Sequence, residues 1–286
     1  DLNPSSPSYG FFKWYQFPDA EPYQMFTDDN AWVCIALLYL HRKTGIEEYK
    51  RRGLLVAEAM LATQHPNGLR HKLMLGPELK ELGRERAALE LAPSLNPHFE
   101  SIAHTAFIQA YLVTGDSAYI ETAIRGSKEL LRRRDEFWLM YSQTSGYGRF
   151  LLPLVYLMRF DESGELRQGV ELISSYLLSN QHPSGAIEEA DNPDPDRFGE
   201  EDAGVYIHNG EGIADQLYTN NFLLMNVWEA WKATRDEKYK LWYEELAAFL
   251  RRIQIKSTDS RYDGGWMRAY ALHLDEYFGN NGDTGW

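Results

Sequence analysis

Two kinds of apolar segment alternate along the chain. Segments such as 31–41 and 222–231 are almost continuously apolar, whereas segments such as 46–64 and 237–254 mix apolar residues at helical spacing with charged residues. A continuous apolar pattern predicts a helix buried on most sides, and a mixed pattern predicts a helix with one solvated face. The chain is therefore predicted to consist of helix pairs, each with an inner helix followed by an outer one. Strand-like alternation is nearly absent.

A short polar turn recurs at the junction inside each helix pair. Four such turns begin at residues 44, 114, 161 and 234, and the outer helices end twenty residues later at Gln64, Arg134, Gln181 and Gln254. Two of these ends continue alike, as Gln-His-Pro-Asn-Gly at 64–68 and Gln-His-Pro-Ser-Gly at 181–185. Because Pro and Gly just past a helical pattern are stop signals, the chain is a tandem array of helical hairpins of similar length.

This repeat predicts an all-α fold, an (α/α) toroid of antiparallel hairpins with inner and outer helices, as a single domain over 1–286. The hairpins are expected at about 28–64, 98–134, 147–181 and 214–254, with the start of a further unit at 265–286. A ring of six hairpins needs more residues, so an open ring and a fragment of a longer protein are both left open. The loops between hairpins, at 65–96 and 182–213, are long and share one face with the N-termini of the inner helices. We expect the functional site on that face.

Composition and charge reduce the number of functional classes to which the protein could belong. Hydrophobic residues are 44% and charged residues 25% of the 286, as in a large globular domain, and no apolar run is long enough for a membrane span. The net charge of −13 disfavours nucleic acid as a partner. The single cysteine, Cys34, allows no disulfide within the chain and is expected to pack in the core. No leader segment is evident, which leaves cytoplasmic, periplasmic and secreted locations open. The chain is rich in aromatic residues, with 8 Trp, 18 Tyr and 13 Phe, which suits a cleft that stacks ligands.

The segment from Thr27 to Trp32, Thr-Asp-Asp-Asn-Ala-Trp, opens the first inner helix. One interpretation is helix capping, because Thr, Asp and Asn satisfy free backbone donors and acids suit the helix dipole. The other is catalysis, in which Asp28 or Asp29 is a proton donor or acceptor beside Trp32 in a cleft. Adjacent helical residues diverge by about 100°, so only one of the two aspartates is expected to point fully inward.

A second carboxylate is sought in 185–221, where Glu211 lies between two glycines and Asp215 follows four residues later. We take Glu211 as the candidate partner carboxylate. Between 188 and 202 there are eight acids and one arginine. A solvated acidic loop and a calcium site are the two interpretations, and the spacing does not match an EF-hand.

Other residues are candidates for substrate binding. They are Trp32, His104, Tyr218, Asn220, Asn221, Trp266 and Arg268. The aromatic rings are suited to stacking on sugars, and Arg268 is suited to a uronic carboxylate. His104, four residues after Glu100, is alternatively a hydrogen-bonded core histidine. The sequence has no paired zinc-ligand histidines, no phosphate-binding glycine loop and no serine nucleophile elbow, so no metal and no cofactor are expected.

These motifs resemble those of the six-hairpin (α/α)6 glycosidases. Inner helices that end in Thr-Gly-Asp-x-x-Tyr and are followed by outer helices are similar to those of the unsaturated glucuronyl hydrolases and endo-α-1,6-mannanases. The stretch from Asp28 to Trp32 is similar to the Asp-Asp-Asn-Gly-Trp of the mannanases, in which adjacent aspartates are catalytic. Residues 217–222 and 263–266 look closer to uronide-active members. The resemblance covers most of 25–270 and implies a toroid fold and glycan processing.

The leading hypothesis is a glycoside hydrolase that acts, without a cofactor, on polysaccharide-derived oligosaccharides, uronic-acid-containing ones included. Asp28 or Asp29 would be the acid or base, and Glu211 its partner. Two alternatives remain. One is a sugar epimerase or polyuronide lyase on the same scaffold, which needs a histidine or tyrosine base such as His104. The other is a non-catalytic glycan-binding subunit. The expected partner is an oligosaccharide or polysaccharide, and the oligomeric state is left open.

Overall fold

The computed structural model describes residues 1–14, 23–137, 142–189 and 212–278. The chain divides into two compact units, where the sequence predicted a single domain. Unit 1 comprises Asp1–Trp138 and Tyr156–Arg167, and unit 2 comprises Leu139–Val155 and Gln168–Trp286.

Eight helices follow one another as inner and outer partners of the four predicted hairpins. The inner helices are α1 (Thr27–Thr44), α4 (Pro97–Thr114), α6 (Gln143–Leu157) and α8 (Asn221–Thr234). The outer helices are α2 (Glu47–Ala62), α5 (Ser117–Arg132), α7 (Glu165–Ser179) and α9 (Glu237–Ile253). One further helix, α3 (Gly76–Glu90), lies in the loop after the first hairpin. None of the helices in the described ranges is long and apolar enough to cross a bilayer.

Inner and outer helices differ in burial as the sequence predicted. In unit 1, α1 packs against both α2 and α4, and α4 is buried along most of its length. In contrast, α5 is amphipathic and keeps a charged face in solvent. The predicted all-α architecture of helical hairpins is confirmed.

The inner helices of the first, second and fourth hairpins end in a left-handed cap, and in the second and fourth an aspartate caps the outer helix that follows. Gly45, Gly115 and Arg235 end their inner helices at φ 72°, 73° and 58°, and each donates its N–H to the carbonyl four residues earlier. Asp116 and Asp236 then cap the following outer helices, each with a carboxylate that accepts a backbone N–H at 3.0 Å. Glycine is favoured at the first of these positions because a left-handed backbone costs it little.

Short strands occupy parts of the chain where the sequence predicted loops or helix. In unit 1, β1 (Gln24–Phe26) pairs antiparallel with β2 (Leu73–Leu75). In unit 2, β3 (Ile213–Asp215), β4 (Ala269–Ala271) and β5 (Glu276–Phe278) form an antiparallel sheet in that order. Residues 265–278, the described part of the further unit expected from 265, contain β4 and β5 and no helix. Asp275, at φ 56°, closes this hairpin, and its carboxylate accepts hydrogen bonds from Tyr270 Oη and Arg252.

The end of three outer helices is marked by the same turn. A glutamine donates its side-chain N–H to a glycine carbonyl, from Gln64 to Gly68, from Gln181 to Gly185 and from Gln254 to Gly264. In each turn the glycine N–H also bonds to the carbonyl of the residue after the glutamine. The repeat seen in the sequence at 64–68 and 181–185 is thus a repeat of hydrogen bonds, and it recurs at 254–264.

Replacement of Gly68 by Ala tests how tightly this turn packs. Gly68 has φ +92°, and a Cβ there would lie 2.5 Å from the backbone N of Gly126 on α5. Gly115 is the matched control, because its φ of +73° imposes similar backbone strain but nothing lies within 4 Å of its Cβ position. In urea unfolding we expect Gly115→Ala to cost about 1 kcal/mol and Gly68→Ala to cost a further 1–3 kcal/mol, roughly, from overpacking. Equal losses in the two variants would contradict the tight contact.

Candidate functional site

The first turn of α1 presents the paired aspartates at one end of unit 1. The helix begins at Thr27, and the residue before it, Phe26, provides no side-chain cap. Thr27 Oγ1 instead donates a hydrogen bond to the carbonyl of His71, which joins the helix start to the loop before β2. Asp28 is 8% exposed and Asp29 is half-buried. The two aspartates therefore occupy the first helical turn, where the dipole favours negative charge, rather than the N-cap position.

Asp28 is paired with a histidine from the next inner helix. Asn96 caps α4 by accepting the N–H of His98 at 2.9 Å, with Pro97 at the first helical position. This places His98 in the first turn of α4, where its Nε2 lies 3.3 Å from Oδ2 of Asp28. His98 is only 5% exposed, and its ring packs edge-on against Phe99. A carboxylate and an imidazole in contact can exchange, store and orient protons.

Sequence reasoning missed His98 and chose His104 as the best-placed histidine. The signal was present, because Asn96-Pro97 is a helix-start signature that places His98 in the same first-turn position as Asp28 on its own helix.

His104 lies deeper along α4, in a cluster of buried charged side chains. Glu100 Oε1 accepts the backbone N–H of Arg70 at 2.8 Å, and Oε2 accepts Nη2 of Arg70 at 3.1 Å. Nε2 of His104 is 3.6 Å from Glu100 Oε2, and its Nδ1 is 3.0 Å from Ser127 Oγ. Glu100 and His104 are fully buried, and Arg70 is 2% exposed. His104 is therefore enclosed by protein groups, which is the arrangement that the core-histidine alternative describes.

Burial sets the electrostatics of this cluster. Desolvation raises the pKa of Glu100 to about 7, although the adjacent Arg70 partly offsets the rise. Desolvation and the Arg70 charge hold the pKa of His104 well below its ordinary value. The cluster thus couples the loop after α2 to α4 through an ion pair that is sensitive to pH.

Two asparagines clamp the starts of inner helices. In unit 1, Asn30 accepts the N–H of Phe12 and donates to the carbonyls of Phe12 and Phe26. In unit 2, Asn220 accepts the N–H of Ile187 and donates to the carbonyls of Ile187 and Asp215. Asn220, predicted to bind substrate, is fully buried and uses its amide on the backbone.

Unit 2 brings together two other predicted binding residues, Tyr218 and Arg268. Asp215 accepts the N–H of Tyr218 at 2.5 Å with Oδ1, and it accepts Nε of Arg268 at 3.0 Å with Oδ2. The guanidinium carbons of Arg268 and Arg149 lie 5.1 and 5.2 Å from the centroid of the Tyr218 ring. Tyr218 is half-buried in a π-helical turn, Gln216–Asn220, a conformation that is frequent at functional sites.

Glu189 is a buried carboxylate close to the same π-helical turn. Its Oε1 accepts a hydrogen bond from Thr219 Oγ1 at 2.6 Å, and its Oε2 accepts one from Thr144 Oγ1 at 3.4 Å. Glu189 is only 2% exposed. The sequence placed Glu189 in the acidic loop 188–202 and assigned it no individual role. Residues 190–202 of that loop, and Glu211, lie outside the described residues, so both interpretations of the loop remain predictions.

The remaining candidates are spread over both units. Trp32 is half-buried on α1, and Asn221 is exposed at the start of α8. Trp266 is half-buried, and its indole N–H donates to the carbonyl of Leu250 on α9 at 2.8 Å. Within the ranges that the structure describes, no three His, Cys, Asp or Glu side chains are grouped to hold a metal ion.

Comparison with solved structures finds similar folds at low sequence identity. A D-mannose isomerase matches at 13% identity and a TM-score of 0.53, over 99% of this chain and 88% of the isomerase. An α-mannanase of glycoside hydrolase family 76 from Bacteroides thetaiotaomicron matches at 11% identity and a TM-score of 0.58, over 90% of this chain and 68% of the mannanase. An unsaturated glucuronyl hydrolase specific for heparin matches at 14% identity and a TM-score of 0.58, over 91% of this chain and 65% of the hydrolase. No protein-family model and no curated protein sequence matches the chain.

The chain therefore has the fold of these solved structures, and the resemblance inferred from the sequence is confirmed at the level of the fold. The similar structures are enzymes that act on carbohydrates by different reactions. At 11–14% identity the similarity shows the fold of this chain and does not assign one of these reactions to it. The chain spans about two thirds of the length of the mannanase and of the glucuronyl hydrolase.

Proposed function

We propose that the protein is a glycoside hydrolase that acts on polysaccharide-derived oligosaccharides. The observation that carries the proposal is the carboxylate of Asp28, held 3.3 Å from His98 Nε2 where two inner helices begin. Glycoside hydrolysis needs a carboxyl group that exchanges a proton with the glycosidic oxygen or with water. The similarity in fold to a mannanase and a glucuronyl hydrolase supports this chemistry.

In the proposed reaction, the bond from the anomeric carbon to the leaving oxygen breaks, and the oxygen of water bonds to that carbon. One carboxyl group gives its proton to the leaving oxygen. The other takes a proton from water, or bonds first to the sugar in a retaining enzyme. Asp28 supplies one of these groups, with Asp29 as the alternative, and Glu211 is the predicted second group. His98 acts as a positioning residue that keeps the carboxylate of Asp28 oriented.

Several side chains support sugar binding in this proposal. Trp32 follows Asp28 by four residues on α1, so the two share one face of the helix. In unit 2, Tyr218 and Trp266 retain their proposed stacking role, and Asn221 is an exposed hydrogen-bonding group. We keep Arg268 as the group that holds a uronic carboxylate, with its guanidinium oriented by Asp215.

The test is a panel of aryl glycosides that includes glucuronides and mannosides, with manno-oligosaccharides and an unsaturated heparin disaccharide beside it. We expect release of the aryl group, or of new reducing ends, from at least one compound. The control is the same protein after heat denaturation. Absence of any cleavage across the panel would refute the hydrolase.

A sugar isomerase or epimerase is the second candidate, and the imidazole of His98 is the observation that favours it. In that reaction the imidazole of His98 would take a proton from the carbon next to a sugar carbonyl, with Asp28 stabilising the resulting imidazolium. The imidazolium would then return the proton to the former carbonyl carbon in an isomerase, or to the other face of the same carbon in an epimerase. The fold similarity to a D-mannose isomerase agrees with it. Incubation of free aldoses in D2O distinguishes the two, because an isomerase incorporates deuterium at that carbon without cleaving a glycosidic bond.

A further inference from the structure

Two exposed aromatic side chains lie at the end of α1 that carries Asp28. Phe12 is 42% exposed and Trp14 is 48% exposed, whereas Phe11 beside them is buried. Single exposed apolar residues are common on protein surfaces and need no explanation. These two differ because the segment that carries them is held in place by a buried side chain and by a strand.

Asn30 anchors Phe12 to the first turn of α1. The amide of Asn30 accepts the N–H of Phe12 at 2.7 Å and donates to the carbonyl of Phe12 at 3.1 Å. The same amide donates to the carbonyl of Phe26 at 2.8 Å, and Asn30 is only 1% exposed. Both backbone groups of Phe12 are thereby fixed to the helix that carries Asp28.

Trp14 is fixed by β1. Its backbone N–H donates to the carbonyl of Gln24 at 2.9 Å. Its ring packs edge-on against the ring of Phe26, with centroids 5.0 Å apart. Phe26 is two residues before Asp28 in the chain. Lys13, between the two aromatic residues, places its Nζ 3.7 Å from the ring centroid of Tyr23. Trp14 is thus held against Phe26, and the residue is 48% exposed.

We propose that Trp14, with Phe12 beside it, is a binding subsite that stacks on the face of a pyranose ring in an oligosaccharide. The C–H face of a sugar packs well on an aromatic ring, and a ring already held in place loses little entropy on binding. The assignment of a carbohydrate ligand rests on the proposed function, because the platform adjoins the helix turn that carries Asp28. A protein partner is disfavoured, since two side chains offer far less than the area of a specific protein interface.

The experiment measures binding by calorimetry with three probes: α-1,6-mannotetraose, cellotetraose and an unsaturated heparin disaccharide. The parent is the full chain carrying Asp28→Asn, so that no probe is consumed. We expect Trp14→Ala in this parent to weaken Kd for the bound probe about tenfold, the scale of one lost stacking contact, and Trp14→Phe to restore most of the affinity. Tyr39→Ala is the matched control, because Tyr39 is 50% exposed near the opposite end of α1. Thermal melting checks that each variant is folded.

The outcomes separate this subsite from the proposed reaction. Equal affinity of parent and Trp14→Ala, equal weakening by Tyr39→Ala, or no binding of any probe by the parent overturns the subsite. Weakened binding in Trp14→Ala alone supports it, even where the wild-type protein cleaves no glycosidic bond. Weakened binding in Trp14→Ala without any cleavage by the wild-type protein would refute the hydrolase and leave a glycan-binding site.

Discussion

Replacement of Asp28 by Asn is expected to lower kcat/KM on the best substrate of the glycoside panel by about 10²–10⁴-fold, the usual loss when general acid–base catalysis is removed. Asn keeps the shape of the side chain but cannot give or take the proton. The fold is expected to survive, because Asp28 does not cap α1, and an Asn in its place loses the small dipole interaction but still offers an oxygen to His98 Nε2. The measurements are steady-state kinetics and a thermal melt of the same preparation.

Two controls make this result specific. Asp116→Asn removes the same charge from an exposed N-cap on α5, where Asn caps about as well as Asp, and should leave both kinetics and melting unchanged. Asp29→Asn removes the neighbouring carboxylate, which is half-buried on the same helical turn. Near-full activity in both Asp28→Asn and Asp29→Asn would refute a catalytic role for this turn. A loss confined to Asp29→Asn would move the role to that residue.

His98 distinguishes the two candidate reactions. His98→Gln retains a hydrogen-bonding group toward Asp28 but cannot be a base. In a hydrolase, where His98 only orients Asp28, this variant should keep much more activity than Asp28→Asn. In an isomerase, where the imidazole of His98 removes the proton, the two variants should lose activity to a similar extent.

Replacement of Arg70 by Met is expected to cost about 3–5 kcal/mol in free energy of unfolding at pH 8, because it leaves Glu100 buried without its cation. The loss should be smaller at pH 5. Burial raises the pKa of Glu100 from its ordinary value of 4.5 to about 7, so at pH 5 the carboxyl is protonated in the folded protein. The stability that the raised pKa of Glu100 contributes to the folded protein is fully present below pH 4.5, and it is lost as the pH rises through about 7.

Without Arg70 the pKa of Glu100 rises further, which steepens the loss of stability above pH 7. Arg70 also lowers the pKa of His104, so its removal makes His104 easier to protonate at pH 5. This effect also makes the loss of stability smaller at pH 5 than at pH 8. Urea unfolding at the two pH values measures the effect. Arg132→Met is the control, because it breaks an exposed pair with Glu165 and should change stability little at either pH. An equal loss for Arg70→Met at both pH values would contradict the raised pKa of Glu100.

The hairpins could be predicted because their signals are local and repeated. A left-handed cap, an N-cap and a stop signal each depend on a few adjacent residues, as in the turn at Gly115 and Asp116. Helix α3 could not be predicted in the same way, because Gly83 at φ 71° interrupts its backbone and breaks the apolar period. The strands β4 and β5 are three residues each, too short to show alternation.

The site was less predictable, because its contacts join residues that are distant in sequence. Asp28 was found from its own segment, but its partner His98 lies 70 residues away on another helix. Asn220 was taken for a substrate ligand because exposed and buried asparagines look alike in a sequence. Its role depends on the backbone of Ile187, 33 residues earlier. Only the equivalence with Asn30, which clamps Phe12 in the same way, would have suggested that role.

The glutamine turns at the ends of three outer helices have a practical use for engineering this chain. Gly68 follows Gln64 by four positions and Gly185 follows Gln181 by four, yet Gly264 follows Gln254 by ten, and the hydrogen-bonded frame is the same. The frame therefore tolerates extra length between its two ends, because the ends are joined by a side chain and not by the intervening residues. The exposed stretch at 258–262 is thus a natural position to graft an affinity tag or a fluorescent label without disturbing α9.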